Sequence, residues 1–79
     1  MPRYFFHLHN DEDLIDEEGT ELPDLATARE WAQRQALHMA AASVLEHQRL
    51  FGGHRIDVAD QAGEVITSML FREVVEIKP

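Results

Sequence analysis

The sequence predicts an α+β fold, a two-layer sandwich in which a single helix covers one face of an antiparallel sheet. The first observation is a segment from about residue 24 to 48 whose apolar residues recur at three- and four-residue spacing. The second is that the segments on both sides of it alternate in polarity and are separated by turn residues. The 79 residues show no repeat or linker, so they predict one small domain over residues 1–79 with the order β-β-α-β-β.

The first predicted strand spans Arg3 to His9 and is rich in aromatic residues. Successive side chains of a strand point to opposite faces of a sheet, so these residues divide into two sets. One set ends in an aliphatic residue and is assigned to the face beneath the helix, whereas the other ends in imidazoles and is assigned to the open face. The two sets are Tyr4, Phe6 and Leu8, and Phe5, His7 and His9.

Two acidic turns follow this strand. Residues 10–13 read Asn-Asp-Glu-Asp, whose short polar side chains compete for backbone hydrogen bonds. Leu14 and Ile15 predict the start of a short second strand, antiparallel to the first. Asp16–Gly19 is the second turn, and its glycine suits a positive φ. Thr20–Leu22 is expected to lead into the helix.

The helix is predicted from Asp24 to about Gln48. Asp24 follows a proline, and its carboxylate can accept a hydrogen bond from a first-turn N–H, as an N-cap does. The buried stripe is narrow and mostly alanine, so the sheet beneath it can approach closely. Gly52 and Gly53 are expected to supply the glycine that ends the helix. The stripe consists of Leu25, Ala28, Ala32, Ala36, Met39 and Ser43.

The last third of the chain predicts a hairpin. Arg55–Val58 alternates charged and aliphatic side chains, and Val65–Phe71 carries large apolar side chains on both faces. Asp60–Gly63 is the turn between them, with its glycine at a left-handed position. The segment 72–79 continues either as a strand or as a short helical turn, and the pattern does not decide between the two.

The composition disfavours several classes of function. The chain carries 15 acidic and 7 basic residues and a formal charge of −8, so its field repels nucleic acid. The apolar runs are too short to span a membrane, and the first residues lack the pattern of a signal peptide. The absence of cysteine excludes disulfides and agrees with a reducing cytoplasm. We therefore expect a cytoplasmic protein that binds neither nucleic acid nor membrane.

Several short motifs occur together in this chain: Met-Pro-Arg-Tyr-Phe-Phe-His at 1–7, Asp-Glu-Glu-Gly at 16–19, Glu-Leu-Pro-Asp-Leu at 21–25, Val-Ala-Asp-Gln-Ala-Gly at 58–63 and Phe-Arg at 71–72. With them the chain resembles, over nearly its whole length, a family of short bacterial proteins classed as a domain of unknown function. That resemblance implies no catalytic residue and no ligand. The order of elements is also similar, more distantly, to the small sheet-and-helix domain of the HicB antitoxin, a likeness of topology alone.

Two histidines on the first strand are the sharpest chemical signal. His7 and His9 share a face, and imidazole together with carboxylate suits zinc, nickel or iron. Two imidazoles do not complete a site, and acidic turns are usually only solvated, so we assign no metal and no cofactor. The candidate ligands for a metal would be His7, His9, Asp11, Asp13 and His54.

The sequence pattern favours a non-enzymatic role. Ser43 falls within the predicted helix and Ser68 within a predicted strand, away from the sharp turn that exposes a nucleophilic serine. The acidic segment lacks the spacing of an EF-hand calcium loop. The glycine pair at 52–53 precedes a strand rather than the helix that a phosphate-binding loop needs.

The leading hypothesis is a small interaction or regulatory module that self-associates, as a dimer. A domain of 79 residues has a thin core, and the sheet face left open by one helix would carry Phe5, Ile66 and Leu70 as interface residues. One alternative is a small metal-binding protein or metal-dependent enzyme that uses His7 and His9 with nearby carboxylates. Another is an antitoxin-like acidic partner of a basic protein.

Overall fold

The computed structural model describes residues 1–76 and 78 of the chain. Short strands come first, then a long helix, a hairpin and a terminal helical turn. The elements are β1 (Arg3–His9), β2 (Asp13–Leu14), β3 (Thr20–Glu21), α1 (Leu25–His47), β4 (Arg55–Ala59), β5 (Val65–Leu70) and α2 (Phe71–Val74). Because α1 lies between β3 and β4, the sheet is built from both halves of the chain.

The strands form one antiparallel sheet in the order β2-β1-β4-β5, and β3 also pairs with β1. In the middle of this sheet, Phe6 lies opposite Val58, which in turn lies opposite Thr67. α1 packs on one face of the sheet, and α2 packs against α1. The predicted α+β sandwich is therefore confirmed, with one more short strand and a terminal helical turn added to the predicted order.

The outer edge of β1 is shared by two short strands. β2 pairs with the end of β1, and β3 pairs with its start. The N–H of Leu22 donates to the carbonyl of Pro2 at 3.0 Å and extends the second of these ladders. Thr20–Leu22 leads into the helix, as predicted, and its first two residues also pair with β1 as a short strand.

α1 begins where the sequence predicts, but a different residue caps its carboxy-terminal end. The side chain of Asp24 accepts a hydrogen bond from the N–H of Thr27 at 2.8 Å, which is N-cap geometry. At the other end, Gln48 adopts a left-handed conformation with a φ of 57°, and its N–H donates to the carbonyl of Val44. The glycines at 52–53 do not end the helix, because a non-glycine residue caps it before they are reached.

The core lies between α1 and the central strands. α1 contributes only alanines to it, each fully buried, so the helix backbone lies close to the sheet. The helix residues are Ala28, Ala32, Ala36 and Ala40. The large buried side chains on the strands are Tyr4, Phe6, Ile56 and Val58. The predicted helix-facing set of the first strand is confirmed, with Leu8 at the margin of this core.

Three residues of the predicted helix stripe, Leu25, Met39 and Ser43, lie outside the core. Leu25 and Met39 were expected to face the sheet, yet each is 38% exposed. A step of four residues advances about 40° beyond a full turn, so a row of alanines spaced by four drifts around the helix. This drift places Ala40, rather than Met39, over the sheet.

The carboxy-terminal hairpin has the predicted turn. Gly63 has a φ of 84°, and the carboxylate of Asp60 accepts hydrogen bonds from the N–H groups of Ala62 and Glu64. Beyond Val58 the pairing of β4 with β5 shifts by one residue, which is a β-bulge.

The sequence left open whether residues 72–79 form a strand or a helical turn, and the structure answers this for part of the segment. α2 follows β5 directly, and its first residue, Phe71, is buried. The segment 72–79 is therefore helical as far as Val74. Ile77 and Pro79 lie outside the described residues.

Candidate functional site

The candidate functional surface is the face of the sheet turned away from α1, called here the open face. Because α1 and α2 pack together on the other face, no helix among the described residues covers it. The open face takes alternate residues from the three longest strands. They are Phe5, His7, His9, Arg55, Asp57, Ile66, Ser68 and Leu70.

A buried carboxylate lies at the centre of the open face. Asp57 is only 6% exposed. Its Oδ1 accepts hydrogen bonds from the hydroxyl of Ser68 at 2.6 Å and from Nε of Arg55 at 3.0 Å. Its Oδ2 lies 2.9 Å from Nε2 of His9. One side chain on β4 therefore connects β1 and β5.

The environment of Asp57 keeps it ionised. Burial by itself raises the pKa of Asp57, but the hydrogen bonds from Ser68 and Arg55, with the electrostatic effects of Arg55 and His9, outweigh that effect. The pKa of Asp57 therefore lies below its ordinary value. The negative charge at the centre of the open face is compensated within the chain.

His9 lies between two carboxylates. Its Nδ1 is 2.7 Å from Oδ1 of Asp13 on β2, and its Nε2 faces Asp57 on β4. A neutral imidazole has one N–H to donate, whereas a protonated imidazole has two. Only the protonated ring therefore donates to both carboxylates at once.

His7 has a different role, at the gap between β2 and β3. Its Nδ1 accepts a hydrogen bond from the N–H of Asp16 at 3.1 Å. The carboxylate of Asp16 in turn accepts from the N–H groups of Phe6 at 3.1 Å and Gly19 at 3.0 Å. Burial raises the pKa of Asp16, but these backbone hydrogen bonds bring it below its ordinary value. The Asp16 side chain thus replaces the missing strand at this point of the β1 edge.

The candidate metal ligands are not brought together. His9 lies beside Asp13 on the open face, whereas His54 packs against the core on the helix side, 3.7 Å from Asp11. His7 is engaged by a backbone N–H. Within residues 1–76 and 78, no group of three or more His, Cys, Asp or Glu side chains is placed to hold a metal ion.

The contacts among Ser68, Asp57 and His9 are not those of a hydrolytic triad. The serine hydroxyl donates to the carboxylate, and the imidazole contacts the other oxygen of that carboxylate. A triad needs the imidazole beside the hydroxyl, so that it can take the hydroxyl proton. The arrangement is a network that holds three strands together.

The three predicted interface residues lie around this network. Phe5 is half-buried and stacks on His7, with 6.5 Å between the ring centroids. Ile66 is 37% exposed, and Leu70 is half-buried. The open face therefore has a polar, internally paired centre with apolar side chains at its margins.

A groove of about 530 Å³ lies on the other side of the sheet, between the carboxy-terminal half of α1 and the loop after β1. One wall is a row of rings, in which His54 stacks on Phe51 at 4.8 Å and meets Phe71 edge-on at 5.7 Å. Because these rings pack on one another, their surfaces are largely used within the chain. The open face is the better candidate for binding.

Sequence reasoning missed three residues of the open face, Arg55, Asp57 and Ser68, and also Asp16 at the edge of β1. A local signal exists for one contact, because the turn at Asp60–Gly63 sets the pairing of β4 with β5 and hence places Asp57 near Ser68. The contact between His9 and Asp57 has no such signal, since β1 and β4 are far apart in the sequence.

Comparison with known proteins identifies the family. The family model described as Domain of unknown function (DUF6894) matches residues 3–72. No curated protein and no solved structure matches the chain. The match spans most of the chain, so the chain belongs to this family, and the expected resemblance to a domain of unknown function is confirmed. Of the helices described, none has both the length and the apolar character needed to cross a membrane.

Proposed function

We propose that this DUF6894 protein is a small, non-catalytic interaction module that binds a second copy of itself through the open face. Two sheets would pack face to face, with Phe5, Ile66 and Leu70 of each copy at the contact. A single surface that meets itself closes on a two-fold axis, so the product is a dimer. The cysteine-free composition supports a reducing compartment, which we take to be the cytoplasm.

The observation that carries this proposal is the pairing of Asp57. Covering a charged group with a partner costs several kcal/mol unless the charge is already compensated. Here Ser68, Arg55 and His9 compensate the carboxylate within one chain. In the described part of the chain, every buried side-chain nitrogen and oxygen has a hydrogen-bond partner. A second sheet can therefore cover this centre without leaving an unpaired charge.

The size of the open face determines how strong such a contact can be. Four strand positions, about 4.8 Å apart and about 20 Å long, give a face of roughly 400 Å² per copy. The total of roughly 800 Å² lies below the ~1,200 Å² of a standard specific interface. We therefore expect a weak dimer, with a Kd in the micromolar range and below about 100 µM at high salt.

The charge of the chain predicts how salt affects this dimer. Each copy carries a formal charge of −8, so two copies repel one another. Salt screens this repulsion over a Debye length of about 10 Å at 0.1 M. The apolar contact does not depend on charge attraction, so the dimer should tighten as the salt concentration rises.

Replacement of Phe5 or Leu70 by glutamate tests the contact. Each change places an uncompensated charge in the apolar margin and should raise the Kd at least about tenfold, because 1.4 kcal/mol is a factor of ten. Sedimentation equilibrium of the untagged protein at low and high salt measures the Kd. Leu14→Glu is the matched control, since Leu14 is exposed and lies opposite Leu8 on the helix side of the sheet.

Two results would contradict the proposal. One is a parent protein that remains monomeric at about 100 µM in high salt, where the expected dimer is populated. The other is an equal weakening by Leu14→Glu, which would show that added charge, and not its position, causes the effect. Circular dichroism checks that each variant is folded, and Ile66→Lys replaces any variant that is not.

A further inference from the structure

His9 connects two carboxylates that lie on different strands. On β2, Oδ1 of Asp13 is 2.7 Å from Nδ1 of the His9 ring, and on β4, Oδ2 of Asp57 is 2.9 Å from its Nε2. The two carboxylates therefore lie on opposite sides of one imidazole. Histidine is the side chain that ordinarily changes charge between about pH 5 and 8, so a change of pH within that range can alter both contacts at once.

The other charged or titratable groups that face this ring come from β4 and from β1 itself. Arg55 lies opposite His9 in the pairing of β1 with β4, and its Nε donates to Oδ1 of Asp57 at 3.0 Å. His7 shares a face of β1 with His9, and its Nδ1 accepts from the N–H of Asp16. β5 contains no ionisable residue, and both helices pack on the other face of the sheet. The ring is therefore surrounded by two carboxylates, one guanidinium and one engaged imidazole.

The two carboxylates differ in how much they depend on His9. The side chain of Asp13 is 72% exposed, whereas Asp57 is buried. A neutral imidazole has one N–H to donate. A buried carboxylate loses more than an exposed one when a donor is removed, because water cannot replace that donor. The single N–H of the neutral ring is therefore at Nε2, towards Asp57, and the lone pair of Nδ1 then faces the carboxylate of Asp13.

β2 is a short strand with a small backbone contact to the sheet. It has two residues, both exposed, which pair with the end of β1. The N–H of Phe6 is directed to this outer edge of β1, so by alternation the N–H and C=O of Leu8 face the same edge. Leu8 lies opposite Leu14, and these two residues exchange the backbone hydrogen bonds. His9 and Asp13 form the neighbouring non-hydrogen-bonded pair, in which side chains lie closer together.

We propose that His9 is a pH-sensitive switch that holds β2 on the sheet when its ring is protonated and releases β2 when its ring is neutral. The protonated ring donates to both carboxylates. The neutral ring instead directs a lone pair at the Asp13 carboxylate across 2.7 Å, and two acceptors at that distance repel one another. The backbone pair of Leu8 and Leu14 then loses the support of this side-chain contact, and the outer edge of β1 opens at its carboxy-terminal end.

NMR spectroscopy of the isotope-labelled protein between about pH 5 and 8 tests the switch. The nitrogen shifts of the imidazole show which ring atoms carry a proton, and the neutral ring of His9 should carry its proton at Nε2. Hydrogen exchange of the Leu14 N–H shows whether β2 is paired. Its protection factor, which corrects for the intrinsic effect of pH on exchange, should fall at least about tenfold, or ~1.4 kcal/mol, with the same midpoint as the ring. A protection factor that stays constant while the ring titrates would overturn the proposal.

Asp13→Asn is the variant that distinguishes a switch from a simple ion pair. An asparagine side chain can donate its amide N–H to Nδ1 of the neutral ring, and its carbonyl oxygen can accept from the protonated ring. The contact therefore persists in both states, so at about pH 8 the Leu14 N–H should be at least about tenfold better protected than in the parent protein. Protection at that pH equal to or below that of the parent would overturn the proposal.

Asp11→Asn is the matched control, because it makes the same chemical change in the same turn. Asp11 lies on the helix side of the sheet, with its Oδ1 3.7 Å from Nε2 of His54. Asp11→Asn should therefore keep the parent's change in Leu14 protection with pH. A change that follows the titration of the His54 ring, or that disappears in Asp11→Asn, would overturn the proposal and place the pH response on the helix side.

The switch lies within one chain and goes beyond the proposed dimer, so the two can fail separately. Phe5→Glu, which should weaken the dimer, should keep the same response of the Leu14 N–H to pH. Loss of the response in Phe5→Glu would overturn the proposal and assign the pH dependence to the dimer. Circular dichroism checks that each variant is folded. If Asp13→Asn does not fold, the titration of the parent protein decides, since a shared midpoint of the His9 ring and Leu14 exchange supports the switch and separate midpoints overturn it.

Discussion

Gly19 and Gly63 both have a positive φ, of 71° and 84°, but for different structural reasons. A Cβ atom at Gly19 would lie 2.9 Å from the carbonyl oxygen of Tyr4 and 2.8 Å from Cγ of Arg3. A Cβ atom at Gly63 would meet nothing within 4 Å. Gly19 therefore combines a left-handed backbone with close contact to β1, whereas Gly63 has the left-handed backbone alone.

Alanine substitutions at these glycines should differ in their cost. Gly63→Ala should lower the free energy of unfolding by about 1–2 kcal/mol, the cost of a left-handed non-glycine residue. Gly19→Ala should cost more, because the backbone of β1 cannot move aside without breaking its pairing. Urea denaturation measures both values, with Gly53→Ala as the control, since Gly53 lacks a positive φ and has open space at its Cβ. Equal costs at positions 19 and 63 would disprove the contact argument.

At the scale of elements, α1 is held to the sheet by small side chains. Its fully buried residues are alanines, and larger apolar residues such as Leu37 and Val44 are about half exposed on its flank. Little room therefore remains between this helix and the large residues Ile56 and Val58 beneath it. The fit depends on the close approach of two backbones.

A larger residue in the alanine stripe should separate the two layers. Ala36→Leu should lower the free energy of unfolding by roughly 1–3 kcal/mol through overpacking. Ala41→Leu makes the same change at an exposed position of the same helix, where we expect an effect within about 0.5 kcal/mol. Urea titration measures the free energy of unfolding of each variant. The slope m, its dependence on urea concentration, is compared between the variants. Unchanged stability in Ala36→Leu would mean that the helix can shift on the sheet without cost.

The sequence predicted well those elements whose periodic spacing of apolar residues is long or whose first residue is a recognisable cap. α1 has many turns and an aspartate N-cap, and its amino-terminal bound agrees with the prediction. β3 has only two residues, Thr20–Glu21, too few for alternation to be visible. The end of α1 at Gln48 depends on a left-handed conformation that a glutamine does not signal.

At the scale of the whole molecule, three carboxylates make the fold sensitive to acid. The pKa values of Asp16, Asp24 and Asp57 lie below the ordinary value; that of Asp24 is lowered by its hydrogen bonds with Thr27. In the unfolded chain an aspartate titrates near pH ~3.9. Their contribution to stability is therefore complete above that pH and is lost as the pH falls through the lower folded values.

Acid unfolding should depend on Asp57 in particular. The free energy of unfolding of the parent protein should fall steeply below about pH 4. Asp57→Asn should be less stable at neutral pH, because it loses the ionic contacts with Arg55 and His9, and should lose less stability on acidification. Urea midpoints measured between neutral pH and about pH 2.5 test this, with Glu17→Gln as the control at an exposed site. A variant that loses as much stability as the parent would contradict this role.

The arrangement of the whole sheet was less predictable than its elements. The alternation in the first strand placed Phe5, His7 and His9 on one face correctly. It gave no indication that His9 reaches Asp57 while His54 turns to the opposite face, because that depends on the pairing of β1 with β4. Register between distant strands is set by the packing of the complete core, which no short segment contains.

The long separation between β1 and β4 also governs the order of events during biosynthesis. Of the elements described, β1 is made before its principal partner, β4, which appears only after all of α1. Until then the aromatic residues of β1 and the alanine stripe have little to pack against, and closing this distant pairing is a slow step. The nascent chain therefore cannot fold progressively from its amino terminus. Its core assembles only once the β4–β5 hairpin has been made, and until then the apolar side chains of β1 stay exposed to water.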